Sequence, residues 1–160
     1  MIRVTKLADY GILLMTWLAW RKARPTGDDT RRSAADLARE TGLPAPTVSK
    51  LLRLLSRAHL LDAQRGSQGG YELTRDAADI SVADIIAAIE GPIALMDCLS
   101  DTTPDCDVQS LCPTRTNWDR INQAILAALS SISLEEMATP QRGWRERMSS
   151  ALTPTTGETS

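Results

Sequence analysis

Residues 33 to 73 constrain this chain most, because two short capped helices are followed there by a glycine-dense turn between strand-like segments. Ser33, with Asp36 three residues later, has the spacing of a capping box; Leu37 and Ala38 point inward, and Thr41-Gly42 supplies a stop. A second helix is expected from about Ala45-Pro46, since proline is tolerated where the first helical N–H has no partner in any case. Within it Val48, Leu51, Leu52 and Leu55 recur at three- and four-residue steps. That spacing buries one stripe and turns Thr47, Ser49, Lys50, Arg53 and Arg57 outward. After Leu60-Leu61, the run Arg65-Gly66-Ser67-Gln68-Gly69-Gly70-Tyr71 permits a tight hairpin and close approach to a phosphate backbone. Helix, turn, helix and hairpin in this order predict a winged helix-turn-helix, mainly α with a small β-hairpin wing.

The charge distribution agrees with a nucleic-acid partner for this part of the chain. Residues 1 to 75 hold 13 Lys/Arg against 7 Asp/Glu, a net of +6, whereas residues 76 to 160 hold 5 against 13, a net of −8. The overall charge of −2 hides that asymmetry, which points the N-terminal part toward an anion. On a recognition helix the N-terminal residues Thr47, Ser49 and Lys50 are placed to read base edges of double-stranded DNA. Arg31, Arg32, Arg53, Arg57 and Arg65 are expected at phosphates, with Gly69 letting the wing approach.

Three segments surround this unit. A first helix is expected from about Thr5 to Arg21, with Leu7, Tyr10, Leu14, Met15 and Leu18 near one face. Ser81 with Asp84 marks a short helix through Ile85, Ile86 and Ile89 that ends at Glu90-Gly91. Thr116 with Asp119 marks a longer one, in which Trp118, Ile121, Ile125, Leu129 and Ile132 form an apolar stripe. A stripe of that length outside the winged unit asks for a partner, and the same helix of a second subunit is the favoured one, because palindromic DNA is read by dimers. The expected organisation is thus a winged helix-turn-helix over 1–80, a cysteine segment and C-terminal dimerisation helix over 81–137, and a disordered tail over 138–160. No apolar run is long enough to span a bilayer, so a cytoplasmic protein without a membrane partner is expected.

Between Pro92 and Pro113 periodicity is lost, and all three cysteines fall there. Cys98, Cys106 and Cys112 are separated by seven and five residues, without the CxxC pairs of zinc ribbons. Thiolates on such a segment can converge on a soft ion and leave one position of a four-ligand site open; an iron–sulfur cluster and an incomplete zinc site both fit. The single histidine, His59, is expected to cap carbonyls or pack under the wing, so the missing ligand is expected to be an oxygen.

On these elements the chain resembles the IscR/NsrR group of iron–sulfur-binding, dimeric winged-helix transcription regulators. The likeness is carried by Val4-Thr5-Lys6-Leu7-Ala8-Asp9-Tyr10-Gly11, the two helices, Arg65-Gly66 with Gly69-Gly70-Tyr71, the three cysteines, and Pro113-Thr114-Arg115-Thr116-Asn117-Trp118. It covers about residues 1 to 137, and the last run is most similar to the regulators of the SUF iron–sulfur assembly operon. The resemblance implies a homodimeric repressor of cluster-assembly genes. It further implies a cluster, 2Fe–2S in preference to 4Fe–4S, on Cys98, Cys106 and Cys112, with Asp9 of the other subunit as the remaining ligand. The chain departs from the group in having seven rather than five residues between its first two cysteines. Arg115 stands where some members carry a ligating histidine, and Asp9 is also explained without metal, since a first-turn carboxylate meets exposed N–H groups.

A nitric oxide or redox sensor of the same fold is one alternative, and a zinc-stabilised protein-docking module is another. An enzyme acting on a small-molecule substrate is not expected, because no second histidine, phosphate loop or paired carboxylate set accompanies the thiols.

Overall fold

The computed structural model describes residues 4–23, 31–66, 69–95 and 112–139. Six helices and one hairpin follow in the order α1 (Lys6–Lys22), α2 (Ala34–Thr41), α3 (Ala45–Arg57), β1 (Leu61–Gln64), β2 (Gly70–Leu73), α4 (Val82–Glu90), α5 (Arg115–Ser130) and α6 (Leu134–Ala138), with a 3-10 turn at Ala77–Asp79 before α4.

The N-terminus of α1 is capped by Thr5, whose hydroxyl accepts from the Ala8 N–H at 3.2 Å. Leu14, Met15 and Leu18 are buried as the periodicity requires, but so are Ala8, Gly11, Trp17 and Ala19, while Leu7 and Tyr10 are only half-buried. The helix is therefore enclosed on most sides, with α4, α6, α2, α3 and β2 all packed against it. Ser33 caps α2 by accepting from the Asp36 N–H at 3.1 Å, and its hydroxyl donates to the Asp36 carboxylate at 2.7 Å. That hydroxyl, assisted by Arg39, holds the Asp36 carboxyl below its usual range. Gly42 ends α2 with φ 69°, the left-handed geometry that glycine adopts without strain, and the chain turns directly into α3. Val48, Leu51, Leu52 and Leu55 of α3 are all completely buried.

His59 departs from the sequence expectation. It is exposed, at φ 58°, and acts through its backbone: its carbonyl accepts from the Thr74 hydroxyl at 2.7 Å, tying the end of α3 to the base of the wing. β1 and β2 pair antiparallel from Leu61↔Leu73 to Gln64↔Gly70, and Tyr71 exchanges backbone hydrogen bonds with Arg32.

Ser81 and Asp84 form the expected capping box at α4. At α5 the expected Thr116–Asp119 cap does not form: the helix begins at Arg115, after Thr114, so both residues already lie inside it. It also ends at Ser130, and Ser133 with Glu136 forms a second capping box that opens α6, a helix the sequence periodicity, which stops at about Ile132, did not mark. The starts of α4 and α6 are bonded through Val82 N–H to the Ile132 carbonyl at 3.0 Å and Leu134 N–H to the Ile80 carbonyl at 2.7 Å. Ile85 and Leu134 are completely buried in the same core as Leu14, Leu37 and Leu52. α4 and α6 thus complete the core begun by α1 to α3. The expected tail is described only as far as Thr139; residues 140–160 lie outside the described residues.

Leu52→Ala should lower the unfolding free energy by about 2–5 kcal/mol through the cavity it leaves. Ser33→Ala should cost only about 1 kcal/mol, the worth of one cap. Urea denaturation followed by circular dichroism measures both; equal losses would contradict this assignment of core and cap.

Candidate nucleic-acid interface and cysteine segment

The outward face of α3 follows from the burial of its other face. Ser49, Lys50, Arg53 and Arg57 are exposed on it, and Thr47 is half-buried beside them. Arg65 is exposed at the wing, where the Gly69 N–H donates to the Gly66 carbonyl at 3.0 Å. A Cβ on Gly69 would lie 2.3 Å from the Gln64 carbonyl oxygen, so this position must be glycine for the turn to close. Its contribution to an interface is the shape of the wing.

The two remaining arginines of the expected phosphate set are held within the protein. Arg31 bonds the Asp62 carboxylate at 2.7 Å and also pairs with Glu72. Those two acids stand directly opposite each other in the β1–β2 register, where like charges repel and a cation between them relieves the cost. Arg32 lies 3.7 Å from Glu40, whose carboxylate also accepts from Trp17 Nε1 at 2.8 Å and lies 3.6 Å from Arg21. Arg31 and Arg32 thus fasten the wing to the corner between α1 and α2, and the exposed basic set contracts to Lys50, Arg53, Arg57 and Arg65.

Of the expected metal ligands, Cys98 and Cys106 lie outside the described residues. Cys112 is half-buried just before α5, its sulfur 3.3 Å from the Thr114 hydroxyl. That hydroxyl lowers the pKa of the thiol, with help from backbone N–H groups and the Arg115 charge. A thiol so placed is shifted toward thiolate, the form that binds soft metals, and its chemistry suits an iron–sulfur or zinc site. Asp9 is exposed in the first turn of α1 and lines a groove of about 240 Å³ with Ile12, Leu13, Thr16, Trp17, Thr41 and Met137. Among the described residues no three potential ligands are gathered together, and no helix is long and apolar enough to cross a membrane.

Sequence reading passed over Asn122 of α5, which is buried. Its Oδ1 accepts from the Leu95 N–H at 3.0 Å and its Nδ2 donates to the Ile93 carbonyl at 3.2 Å, so α5 grips the chain as it leaves α4 toward the cysteines. Meanwhile Trp118, Ile121 and Ile132 of the apolar stripe are exposed, and Ile125 and Leu129 half-exposed.

Fold and surface together define a winged helix-turn-helix regulator of transcription. The chain belongs to the Rrf2 family, described as iron-dependent transcriptional regulators, whose model matches residues 4–140. It is 28% identical to protein rrf2 of Nitratidesulfovibrio vulgaris over 136 residues, 85% of this chain and 87% of that one. It is 32% identical to the regulator IscR of Photobacterium profundum over 136 residues, 85% and 75% of the two chains. The structure of CymR, the global cysteine regulator of Bacillus subtilis, superposes with a TM-score of 0.64 at 28% identity, covering 87% of this chain and 98% of that one. That of T. potens IscR gives 0.61 at 28% identity over 91% and 96%. These relatives are transcription regulators, not enzymes, and membership of the family sets the protein-docking module aside.

Removing a phosphate contact and removing a wing fastener should be separable. Arg53→Ala should weaken binding to specific and random duplexes alike and reduce the slope of log K against log salt by about 0.9. Arg31→Ala should leave that slope unchanged and lower the thermal midpoint of the wing; a salt slope altered equally by both variants would show that Arg31 meets phosphate.

Proposed function

We propose that this regulator is a homodimer that senses iron–sulfur cluster status and represses cluster-assembly genes when cluster is plentiful. The observation that carries the reading is the set of three cysteines, the last of them at the foot of α5 with its sulfur 3.3 Å from the Thr114 hydroxyl, in a chain of a family described as iron-dependent. Cys98, Cys106 and Cys112 are the sulfur ligands of this proposal, and Asp9 of the other subunit supplies an oxygen. The exposed position of Asp9 leaves its carboxylate within reach of a second copy. The bound cluster, 2Fe–2S in this reading, would supply a redox-active and displaceable cross-link between the subunits.

The dimer is supported by α5. The stripe of Trp118, Ile121, Ile125 and Leu129 on α5, continued by Ile132 just after it, finds no full cover within the described residues, and large apolar surface of this kind marks an interface. Twofold pairing along α5 would carry two α3 helices to major-groove half-sites about one helical turn apart. Thr47, Ser49 and Lys50 then face base edges, and Arg53, Arg57 and Arg65 face phosphates.

The likeness to CymR favours a second reading, in which the same thiols report redox state or cysteine supply without a metal. Nitric oxide is a further signal compatible with the cluster.

Anaerobic purification with iron and sulfide counts separates these readings. The cluster reading expects coloured protein, loss of colour in the Cys98→Ala/Cys106→Ala/Cys112→Ala variant, and operator affinities that differ about 5- to 150-fold between loaded and cluster-free protein. Colourless, iron-free protein whose DNA affinity responds to thiol oxidation would replace it with the CymR-like reading. For the dimer, Ile121→Glu with Leu129→Glu should shift sedimentation from dimer to monomer while the circular dichroism of the chain stays helical; an unchanged dimer would exclude α5 as the interface.

A further inference from the structure

Glu40 stands where a carboxylate is disfavoured on two counts. It is the last residue but one of α2, at the end of the helix where unbonded carbonyls gather negative charge, and its side chain keeps only 18% of its surface exposed. Three groups from outside α2 offset that cost. Trp17 Nε1 of α1 donates to the carboxylate at 2.8 Å, and the guanidiniums of Arg21, on α1, and Arg32, just before α2, lie 3.6 and 3.7 Å from it.

Arg32 carries the consequence to the wing. Its N–H donates to the Tyr71 carbonyl at 3.2 Å, and its carbonyl accepts from the Tyr71 N–H at 2.8 Å. Beside Tyr71, a Cβ on Gly70 would lie 2.7 Å from the Arg32 carbonyl oxygen, so the two backbones meet more closely than any other residue allows. The hairpin is thereby held at its two ends by different means. Its base is set by the core, through buried Leu61 and Leu73 and the bond from Thr74 to the His59 carbonyl. Its tip, where Gln64 pairs with Gly70 and Arg65 follows, is set by Arg32. Arg31 grips Asp62 and Glu72, both on the wing, and so joins the wing to the segment before α2. The Arg32–Glu40 pair carries that segment on to α2, which only Gly42, Leu43 and Pro44 separate from α3.

We propose that Glu40 is a positioning residue for DNA binding: through Arg32 it holds the tip of the wing, and with it Arg65, in a fixed place relative to the outward face of α3. It touches no nucleic acid. The proposal rests on the reading of Arg65 as a phosphate contact, and it concerns whether that contact is in place before DNA arrives or has to be ordered on binding. The sign of the effect separates this role from plain electrostatics. Removing an acid from a DNA-binding unit reduces its repulsion of phosphate and should tighten binding. Removing a positioning acid should weaken binding, because a smaller fraction of the protein then has the wing in place. The number of phosphates met stays the same, so the salt slope should not change.

The test is a double-mutant cycle on the full chain, with a duplex that the parent protein selects from a random pool. Glu40→Gln keeps the size of the side chain and an acceptor for Trp17, and removes the charge facing Arg32. It should weaken binding about 2- to 150-fold, the range of coupling between interacting groups, at an unchanged salt slope. Arg65→Ala should instead lower the slope by about 0.9 for each wing that meets phosphate. In the Arg65→Ala background Glu40→Gln should have no further effect, because there is no contact left to place. If circular dichroism shows Glu40→Gln unfolded, Arg32→Gln takes its place in the cycle, since it keeps both backbone bonds to Tyr71. A positioning role again disappears with Arg65, whereas a slope lowered by Arg32→Gln in both backgrounds shows a direct phosphate contact and overturns the proposal. Equal weakening by Glu40→Gln in both backgrounds, as from a general loss of stability, overturns it too. Unchanged or tighter binding by Glu40→Gln, beside a slope that falls on Arg65→Ala, overturns it and leaves the phosphate contact standing. An Arg65→Ala variant with the affinity and slope of the parent ends the phosphate reading, and the proposal with it.

Discussion

Everything outward-facing in this protein depends on the complete burial of one stripe of α3. Val48, Leu51, Leu52 and Leu55 have no exposed surface, and each fully buried aliphatic side chain is worth about 1.5–3 kcal/mol in removed apolar area. Rotating α3 by one residue would turn Val48, Leu51 and Leu55 outward and bury Ser49, Arg53 and Ser56, so the register of the helix about its own axis is fixed far more strongly than any surface contact could fix it. The side proposed to face DNA is a by-product of a core that permits no other orientation. This explains why α3 can be populated with short polar and basic residues at no cost to folding.

The wing needs a different device, because a two-stranded hairpin is marginally stable alone. Here it is attached by charge and backbone pairing. Arg31 sits between Asp62 and Glu72, Arg32 exchanges backbone bonds with Tyr71, and Glu40 draws Trp17, Arg21 and Arg32 to one point where α1, α2 and the residues just before α2 meet. Arginines used in this way are removed from the electrostatic footprint, so the basic excess of the N-terminal half overstates the charge available to a phosphate backbone. Formal charge counts on a DNA-binding unit measure supply, whereas exposure measures what can be released as counterion exchange.

The parts of the fold written in local pattern were legible before the structure. Ser33 and Ser81 mark helix starts through bonds to the residue three further on, Gly42 marks a helix end by its left-handed backbone, and the α3 stripe is a property of its own spacing. What escaped were properties set by distant neighbours. Arg31 and Arg32 read as free cations because their carboxylate partners lie 8 to 41 residues away in sequence. The five residues of α6 are too few to show a period, and Ser133 with Glu136 was the only local trace of it. On α5 the pattern itself misleads: an apolar stripe is expected inward, yet Trp118 and Ile121 are exposed while Asn122 is buried. That inversion is what supports the proposed pairing of two copies along α5. Of the candidate metal site, only Cys112 and Asp9 fall among the described residues.

The same arrangement sets what any signal at the cysteine segment must achieve. A bound group can bias DNA binding only by favouring one of two arrangements of the protein over the other. The segment leaves α4 at Gly91, α4 packs on both α1 and α3, and Glu90 accepts from the Thr5 hydroxyl that caps α1. Residues 93–95 are thus joined to the back of α3 through the packing of α4, and to α5 through Asn122. The 16 residues of α5 make a rod of roughly 24 Å, over which a tilt of about 5° moves the far end by roughly 2 Å. If two copies pair along this rod, such a movement changes the separation of two recognition helices whose base contacts tolerate only a few tenths of an ångström. The lever needs no large conformational change, only a rigid core that passes small displacements on without absorbing them, and the fully buried α3 stripe supplies it.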